Sequence, residues 1–380
     1  MFVPEPLPQP YASLSLEEMD RRIRAARAAL GDRLVILGHH YQQDDVIRYA
    51  DVTGDSLKLA RFAAGQAKAR FIVFCGVHFM AESADILARP GQVVILPDMS
   101  AGCSMADMAE ADDVQTALEE LATLSGGSAI VPVTYVNSAA AVKAVTGRAG
   151  GACCTSSNCR AVLEWALRPG QAGGAGGQKV LAVPDQHLAR ATALDMGYRL
   201  EDCVVYRPAL PDGGLTAGQV KAATFILWEG YCSVHQEFTV EQVEQRRREY
   251  PGIRVIVHPE CDIAVVQAAD LHGSTEQIIR TVAAAGPGSR WAVGTEINLV
   301  NRLACQHPDR LVVNLSGHGC LCSTMYRIDP AHLCWTLENL AEGRVVNRIQ
   351  VPQDIRPDAL VALERMVSLT GAAGASPACR

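Results

Sequence analysis

The chain has 380 residues, 49% hydrophobic and 20% charged, which suits an ordinary globular core and a length of two or three domains. A net charge of −7, a pI near 5.8 and the lack of any Lys/Arg-rich run argue against nucleic acid as a partner, since that role needs a basic face. No apolar run approaches the roughly 18 to 20 residues of a membrane span, and the Pro-rich, acidic Met1–Pro10 has neither the basic start nor the apolar stretch of a signal peptide, so a soluble, cytoplasmic protein is expected.

In chain order, Leu16–Leu30 carries Ala, Arg and Glu at helical spacing behind Ser15, a natural N-cap, and predicts an amphipathic helix. Leu34–Leu37 is a short branched run of the kind buried on both faces of a parallel sheet. Asp44–Tyr49 and Ser56–Ala67 are expected helices, Arg70–Phe74 a strand, Phe79–Ala88 a helix and Val93–Leu96 a strand. The rhythm recurs with strands expected at Ala129–Val133, Val180–Val183 and Thr224–Trp228, then at Arg254–Val257, Trp291–Val293 and Leu311–Asn314. Helices at Asp112–Leu124, Val240–Glu249 and Ala331–Leu340 join successive units. Strands alternating with helices predict an α/β fold, with functional loops at the carboxyl ends of the strands. Gly170–Gly177 lacks the Lys-Ser/Thr ending of a phosphate loop and precedes a strand, so it is taken as a flexible surface insertion.

A repeat underlies this rhythm. From His39 to Ser56 and from His258 to Thr275 the interval is 17 residues, and from His39 to Cys103 and from His258 to Cys322 it is 64. A middle copy runs from Tyr135 past Ser156 to Cys232, stretched to 97 residues by Gly/Pro-rich insertions at Arg168–Gln178 and Arg207–Gly218. Three related units are expected, each delivering one cysteine beyond its third apolar run. The assignment is an N-terminal extension and helix over 1–30 and units over 31–110, 111–238 and 239–325. C-terminal helices and a tail are assigned to 326–380.

The chain has thirteen cysteines, an odd number that fits a disulfide framework poorly, so they are expected as metal ligands, buried small hydrophobes or both. If the units pack about a pseudo-threefold axis, Cys103, Cys232 and Cys322 meet at one centre. Three thiolates suit a 4Fe-4S cluster with one open iron, a Lewis acid for oxygen groups; zinc with three cysteines and a water is the alternative. No C-x-x-C pair exists, which disfavours a zinc ribbon. Cys320 competes with Cys322, and the interval of 64 favours the latter. Polar pairs follow the presumed strand ends: His39 and Tyr41, Tyr135 and Asn137, His258 and Glu260. Ser56, Ser156 and Thr275 fall at expected helix N-termini, where hydroxyl and N–H groups can hold a phosphate or carboxylate. His235, three residues after Cys232, is placed beside the metal.

The stretches GHHYQ, ADVTGDSL, FCGVHFMAESADIL, PDMSAGCSMAD, TYVNS, CTSSN, WEGYCSVH, HPEC, GST and VGTE together resemble the quinolinate synthase family from about Leu34 to Leu340. The resemblance implies three αβα sandwich, Rossmann-like domains in pseudo-threefold arrangement around a 4Fe-4S cluster. It also implies a transferase of de novo NAD biosynthesis that condenses iminoaspartate with dihydroxyacetone phosphate to give quinolinate, phosphate and water, with a functional link to L-aspartate oxidase. Carried across by motif, Cys103, Cys232 and Cys322 are the ligands, with Met325 supporting Cys322 over Cys320. Tyr41 and Glu260 are the leading proton-transfer groups, with His39, His235 and His258 nearby. Tyr135 and Asn137 orient substrate, and Ser56, Ser156, Ser274 and Thr275 bind its phosphate or carboxylates. The third unit departs from the family pattern, because its Gly-Ser-Thr run continues Glu276-Gln277 and Gly294-Thr295-Glu296-Ile297-Asn298 lacks a glycine after the glutamate. The C-x-x-C spacing near the third ligand in some relatives is absent, so no disulfide switch is expected there.

Overall fold

Short branched runs with no polar face can satisfy their backbone only by pairing on both sides, and three parallel sheets result. The computed structural model describes residues 7–66, 68–170 and 174–369. The first sheet holds β1 (Leu34–His39), β2 (Val52–Gly54), β3 (Phe71–Cys75) and β4 (Val93–Ile95) in the spatial order β2-β1-β3-β4. The second holds β5 (Ile130–Tyr135), β6 (Ala152–Cys154), β7 (Lys179–Val183), β8 (Cys203–Tyr206) and β9 (Phe225–Trp228), ordered β6-β5-β7-β9-β8. The third holds β10 (Arg254–Val257), β11 (Leu271–His272), β12 (Arg290–Gly294) and β13 (Leu311–Asn314), ordered β11-β10-β12-β13. All of these pairings are parallel. Each sheet therefore repeats one scheme, in which the second strand flanks the first on one side and the later strands build outward on the other.

The strands absent from the sequence reading are the shortest or lie at sheet edges. β2, β6 and β11 span three, three and two residues. β8 precedes the Arg207–Gly218 insertion and widens the second sheet. The expected helix at Asp44–Tyr49 shortens to Asp44–Ile47, and that at Ser56 ends at Gly65. Of the Gly-rich insertion, 171–173 lie outside the described residues; Gly176 and Gly177 N–H groups return to Arg168 and Ala166 carbonyls at the end of helix Cys159–Leu167.

Helix Leu16–Leu30 is capped as expected, Ser15 Oγ accepting the Glu18 N–H at 3.2 Å. Its face of Met19, Ile23, Ala26 and Leu30 is buried. It packs against helix Pro330–Ala341, to which Arg22 adds a fork on Glu338 at 2.7 and 2.6 Å.

The stretch past residue 326 contains a strand as well as helices. β14 (Arg348–Ile349) pairs antiparallel with β4 and closes the outer edge of the first sheet. Helix Arg356–Ser368 then lies on helix Ala140–Arg148, so close that a Cβ on Gly147 would sit 1.9 Å from the Asp358 carbonyl oxygen. Arg356 reaches Asp85 at 2.9 Å while Asn158 Nδ2 donates to the Met366 carbonyl at 2.9 Å, so this helix clamps the first sheet to the second.

Candidate active site

The carboxyl ends of the three sheets border one cleft of about 660 Å³. Thirteen of the fourteen residues singled out in the sequence line it: His39, Tyr41, Ser56, Cys103, Tyr135, Asn137, Ser156, Cys232, His235, His258, Glu260, Thr275 and Cys322. The exception, Ser274, is turned to a structural task, its Oγ accepting the Gln277 N–H at 3.3 Å as N-cap of helix Thr275–Ala284.

The three cysteines occupy matched local structure. Each lies three residues before a one-turn 3₁₀ helix, at Ala106, His235 and Met325, and eight before a long helix, at Ala111, Val240 and Pro330. In each loop the cysteine carbonyl accepts the N–H four residues on, from Asp107, Gln236 and Tyr326. Cys320 is packed instead with Val255, Val257 and Leu315 in the core of the third sheet. Burial pushes the Cys103 thiol up to about 12 and raises Cys232 and Cys322, and the charges of neighbouring thiolates push Cys103 and Cys232 in the same direction. Three cysteines from matched loops lining one cleft are a donor set that fits an iron-sulfur cluster. A second donor group overlaps it, since one atom each of Cys232, His235 and Glu260 lie within 4.8 Å of one another.

The strand-end pairs share a construction. Tyr41 N–H donates to His39 Nδ1 at 3.2 Å, and Glu260 N–H donates to His258 Nδ1 at 3.3 Å. In both neutral rings this leaves the proton on Nε2. Burial drives both down to about 3, so both stay uncharged near neutrality. Tyr135 ends β5, and burial and then the charge of Glu260 hold its phenol well above the ordinary value, while Asn137 Oδ1 is buried without a protein partner.

Glu260 is the hub of the cleft. Its Oε2 lies 2.6 Å from His235 Nδ1 and 3.8 Å from His258 Nδ1, and the two imidazoles stack at 4.4 Å. Burial opposes its ionisation, but the surrounding imidazoles and the Tyr135 hydroxyl pull the other way and hold it below the ordinary carboxylate value. Glu260 Oε1 is buried and has no protein partner. Tyr41 is raised well above the ordinary phenol value by burial and then by Glu260, so it keeps its proton at rest.

Around the hydroxyls expected to bind anions, the capping positions shift by one residue. Asp55, rather than Ser56, caps its helix through the Lys58 N–H at 2.9 Å and also accepts the Ser157 hydroxyl at 2.6 Å. Ser156 lies in the turn before helix Cys159–Leu167, where Asn158 is the capping position. Asp55 and Ser274 take the capping work, so Ser56 and Thr275 present hydroxyls to the cleft.

Two residues were passed over because they sat inside a motif quoted only for its likeness. Thr295 Oγ1 lies 2.8 Å from Tyr41 Oη and 3.1 Å from His235 Nε2. Glu296 caps helix Ile297–Gln306 through the Asn298 N–H at 2.8 Å, and burial raises it to about 8 against the pull of these N–H bonds. The departures from the family pattern also have places. Asn298 Nδ2 donates to Glu296 Oε1 at 3.0 Å and to the Tyr41 carbonyl at 3.2 Å, and Glu276 lies 2.9 Å from His40 Nε2 and 3.7 Å from Lys58 Nζ.

With this geometry in place, comparison with known proteins converges on one family. A family model described as quinolinate synthetase A protein matches residues 21–368. Curated proteins named quinolinate synthase are similar over nearly the whole chain. That of a Nocardioides species is 56% identical over 352 residues, covering 92% of this chain and 89% of its own. That of Herpetosiphon aurantiacus is 53% identical, covering 95% of each, and that of Streptomyces coelicolor is 53% identical, covering 96% and 91%. The chain belongs to the quinolinate synthetase A family.

Proposed function

We propose that this protein is a quinolinate synthase that condenses iminoaspartate with dihydroxyacetone phosphate, releasing phosphate and water. The observation that carries this is the meeting of Cys103, Cys232 and Cys322, from matched loops of three units, in one cleft with Tyr41, Tyr135, His235 and Glu260. The units over 31–110, 111–238 and 239–325 act as three related domains about a pseudo-threefold axis, so matched positions face a common centre.

Cys103, Cys232 and Cys322 would hold a 4Fe-4S cluster, which supplies when bound an open iron acting as a Lewis acid on substrate oxygen or nitrogen. The Cys232, His235 and Glu260 group is disfavoured as a separate metal site, because His235 and Glu260 already engage each other at 2.6 Å. Among the described residues the cleft lining includes no lysine or arginine, so hydroxyls and N–H groups at helix starts carry anion recognition. Ser56, Ser156 and Thr275 hold the phosphate or carboxylates, and Tyr135 and Asn137 orient the carbon skeleton. His39 and His258, each with its proton on Nε2, donate to developing oxygen charge without adding positive charge. Glu260, ionised at rest, takes protons, and Tyr41 exchanges them on the opposite wall. An L-aspartate oxidase is the expected source of iminoaspartate.

The test is quinolinate formation by anaerobically purified protein given iminoaspartate and dihydroxyacetone phosphate. Product is expected; none from protein with its full iron and sulfide would overturn the proposal.

A further inference from the structure

Two positions beyond the end of β3, β7 and β12 the units place Val77, Asp185 and Glu296. In the second and third units this residue is a carboxyl that caps the helix ahead: Asp185 Oδ2 accepts the Leu188 N–H at 2.6 Å, and Glu296 accepts the Asn298 N–H at 2.8 Å. The two differ in their other oxygen. Glu296 Oε1 accepts from Asn298 Nδ2 at 3.0 Å, whereas Asp185 Oδ1 is buried with no partner among the described residues, on a side chain only 3% exposed.

Asp185 borders a second pocket, of about 220 Å³, whose wall is otherwise mostly apolar, from Val133, Ala182, Val183, Leu188 and Ala189. Among the described residues Tyr135 alone lines both this pocket and the cleft, so it is the wall between the two spaces. The titratable groups facing Asp185 are Tyr135 of β5, Cys154 of β6, Cys159 of helix Cys159–Leu167 and Glu260 of the third unit, with His187 and Arg190 on its own helix. His187 is held down to about 4 by burial and brings no charge, and the Arg190 guanidinium is bonded to Gln186 at 2.8 Å. An ionised Oδ1 would therefore be a bare charge against aliphatic side chains. In agreement, burial and then the charge of Glu260 raise Asp185 well above the ordinary carboxylate value.

We propose that Asp185 is a neutral carboxylic acid that acts as a positioning residue for Tyr135, its Oδ1–H donating through one water in the pocket to the phenol oxygen. This rests on the reading of Tyr135 as a residue that orients substrate. A phenol oxygen that accepts from the pocket side turns its own O–H to the cleft, where the substrate lies. The two carboxyls on either side of Tyr135 then have opposite states, Glu260 ionised and Asp185 protonated.

The test uses holoenzyme of matched iron content. Asp185→Asn keeps an oxygen for the Leu188 N–H and an N–H for the pocket, and is expected to stay within about threefold of wild-type kcat. Asp185→Ala keeps neither, and is expected to lower kcat about 10- to 100-fold with KM little changed; combined with Tyr135→Phe it should be no slower than Tyr135→Phe alone. The infrared spectrum at neutral pH should contain the carbonyl band of a buried protonated carboxyl that Asp185→Asn removes. Equal damage in Asp185→Asn and Asp185→Ala, full kcat in Asp185→Ala, additive losses in the double variant, or no such band would overturn the inference. If the wild type made no quinolinate, the functional reading would fail instead, and the infrared band would still decide the state of Asp185.

Discussion

The inner and outer ends of the three units obey different rules. At the cleft the units agree in detail, with a polar residue ending or following the first strand, a partner two residues on, and a cysteine eight residues before a long helix. At the outer edges they diverge: β14 pairs antiparallel with β4, β8 extends beyond β9, and β13 is the terminal strand of its sheet. Positions that must present a donor at a shared centre tolerate little displacement, whereas an edge need only be covered or paired.

The sharpest way to break that contrast lies in the loop Cys320-Leu321-Cys322, where matched and unmatched cysteines are neighbours. Cys322→Ala is expected to abolish quinolinate formation and strip the visible iron-sulfur absorbance. Cys320→Ala should keep both and cost only about 1 kcal/mol of stability, read from denaturant midpoints. Equal loss of iron in the two variants would dissolve the distinction between the matched loop and the core beside it. Next in size, Glu260→Gln removes the carboxylate beside which the His235 and His258 rings stack. Its kcat should fall about 10²- to 10⁴-fold with the cluster retained, and unaltered turnover would remove Glu260 from the chemistry.

The outer region predicts a different signature, in stability without chemistry. Gly147→Ala drives a Cβ into the Asp358 carbonyl at 1.9 Å, and is expected to lose about 1 to 3 kcal/mol by thermal or denaturant unfolding, with kcat preserved in the folded fraction. The smallest expected effect is in pH. His39 and His258 are held down to about 3 when folded but titrate near 6.5 when exposed, so below about 6.5 the unfolded chain binds protons that the folded one refuses. Stability should be fully present above that pH and decline as pH falls toward 3, and His39→Gln should flatten the decline. A steeper acid slope in His39→Gln would show that the ring is charged in the fold.

Much of the cleft was legible because its chemistry is written in spacing. The interval of 64 residues from His39 to Cys103 and from His258 to Cys322 is kept by the fold, with His39 pairing opposite Gly54 and Val257 opposite His272. Short branched runs of four to six residues identified the central strands for the same reason that they form them, burial on both faces. β2, β6 and β11 were not legible because two or three residues carry no periodicity, and their pairing is decided by the strand beside them. β14 escaped because its partner, β4, lies far away in sequence. Thr295 escaped because a threonine after a strand is usually a turn residue; only the approach of Tyr41 and His235 from other segments distinguishes it.

The account turns on matched cysteines sharing one cluster, and the most direct measurement is iron and acid-labile sulfide per chain in anaerobically prepared protein. Roughly four of each is predicted for the wild type, with both lost in Cys103→Ala, Cys232→Ala and Cys322→Ala and kept in Cys320→Ala. One zinc per chain without sulfide, or iron that survives loss of any of the three, would contradict it.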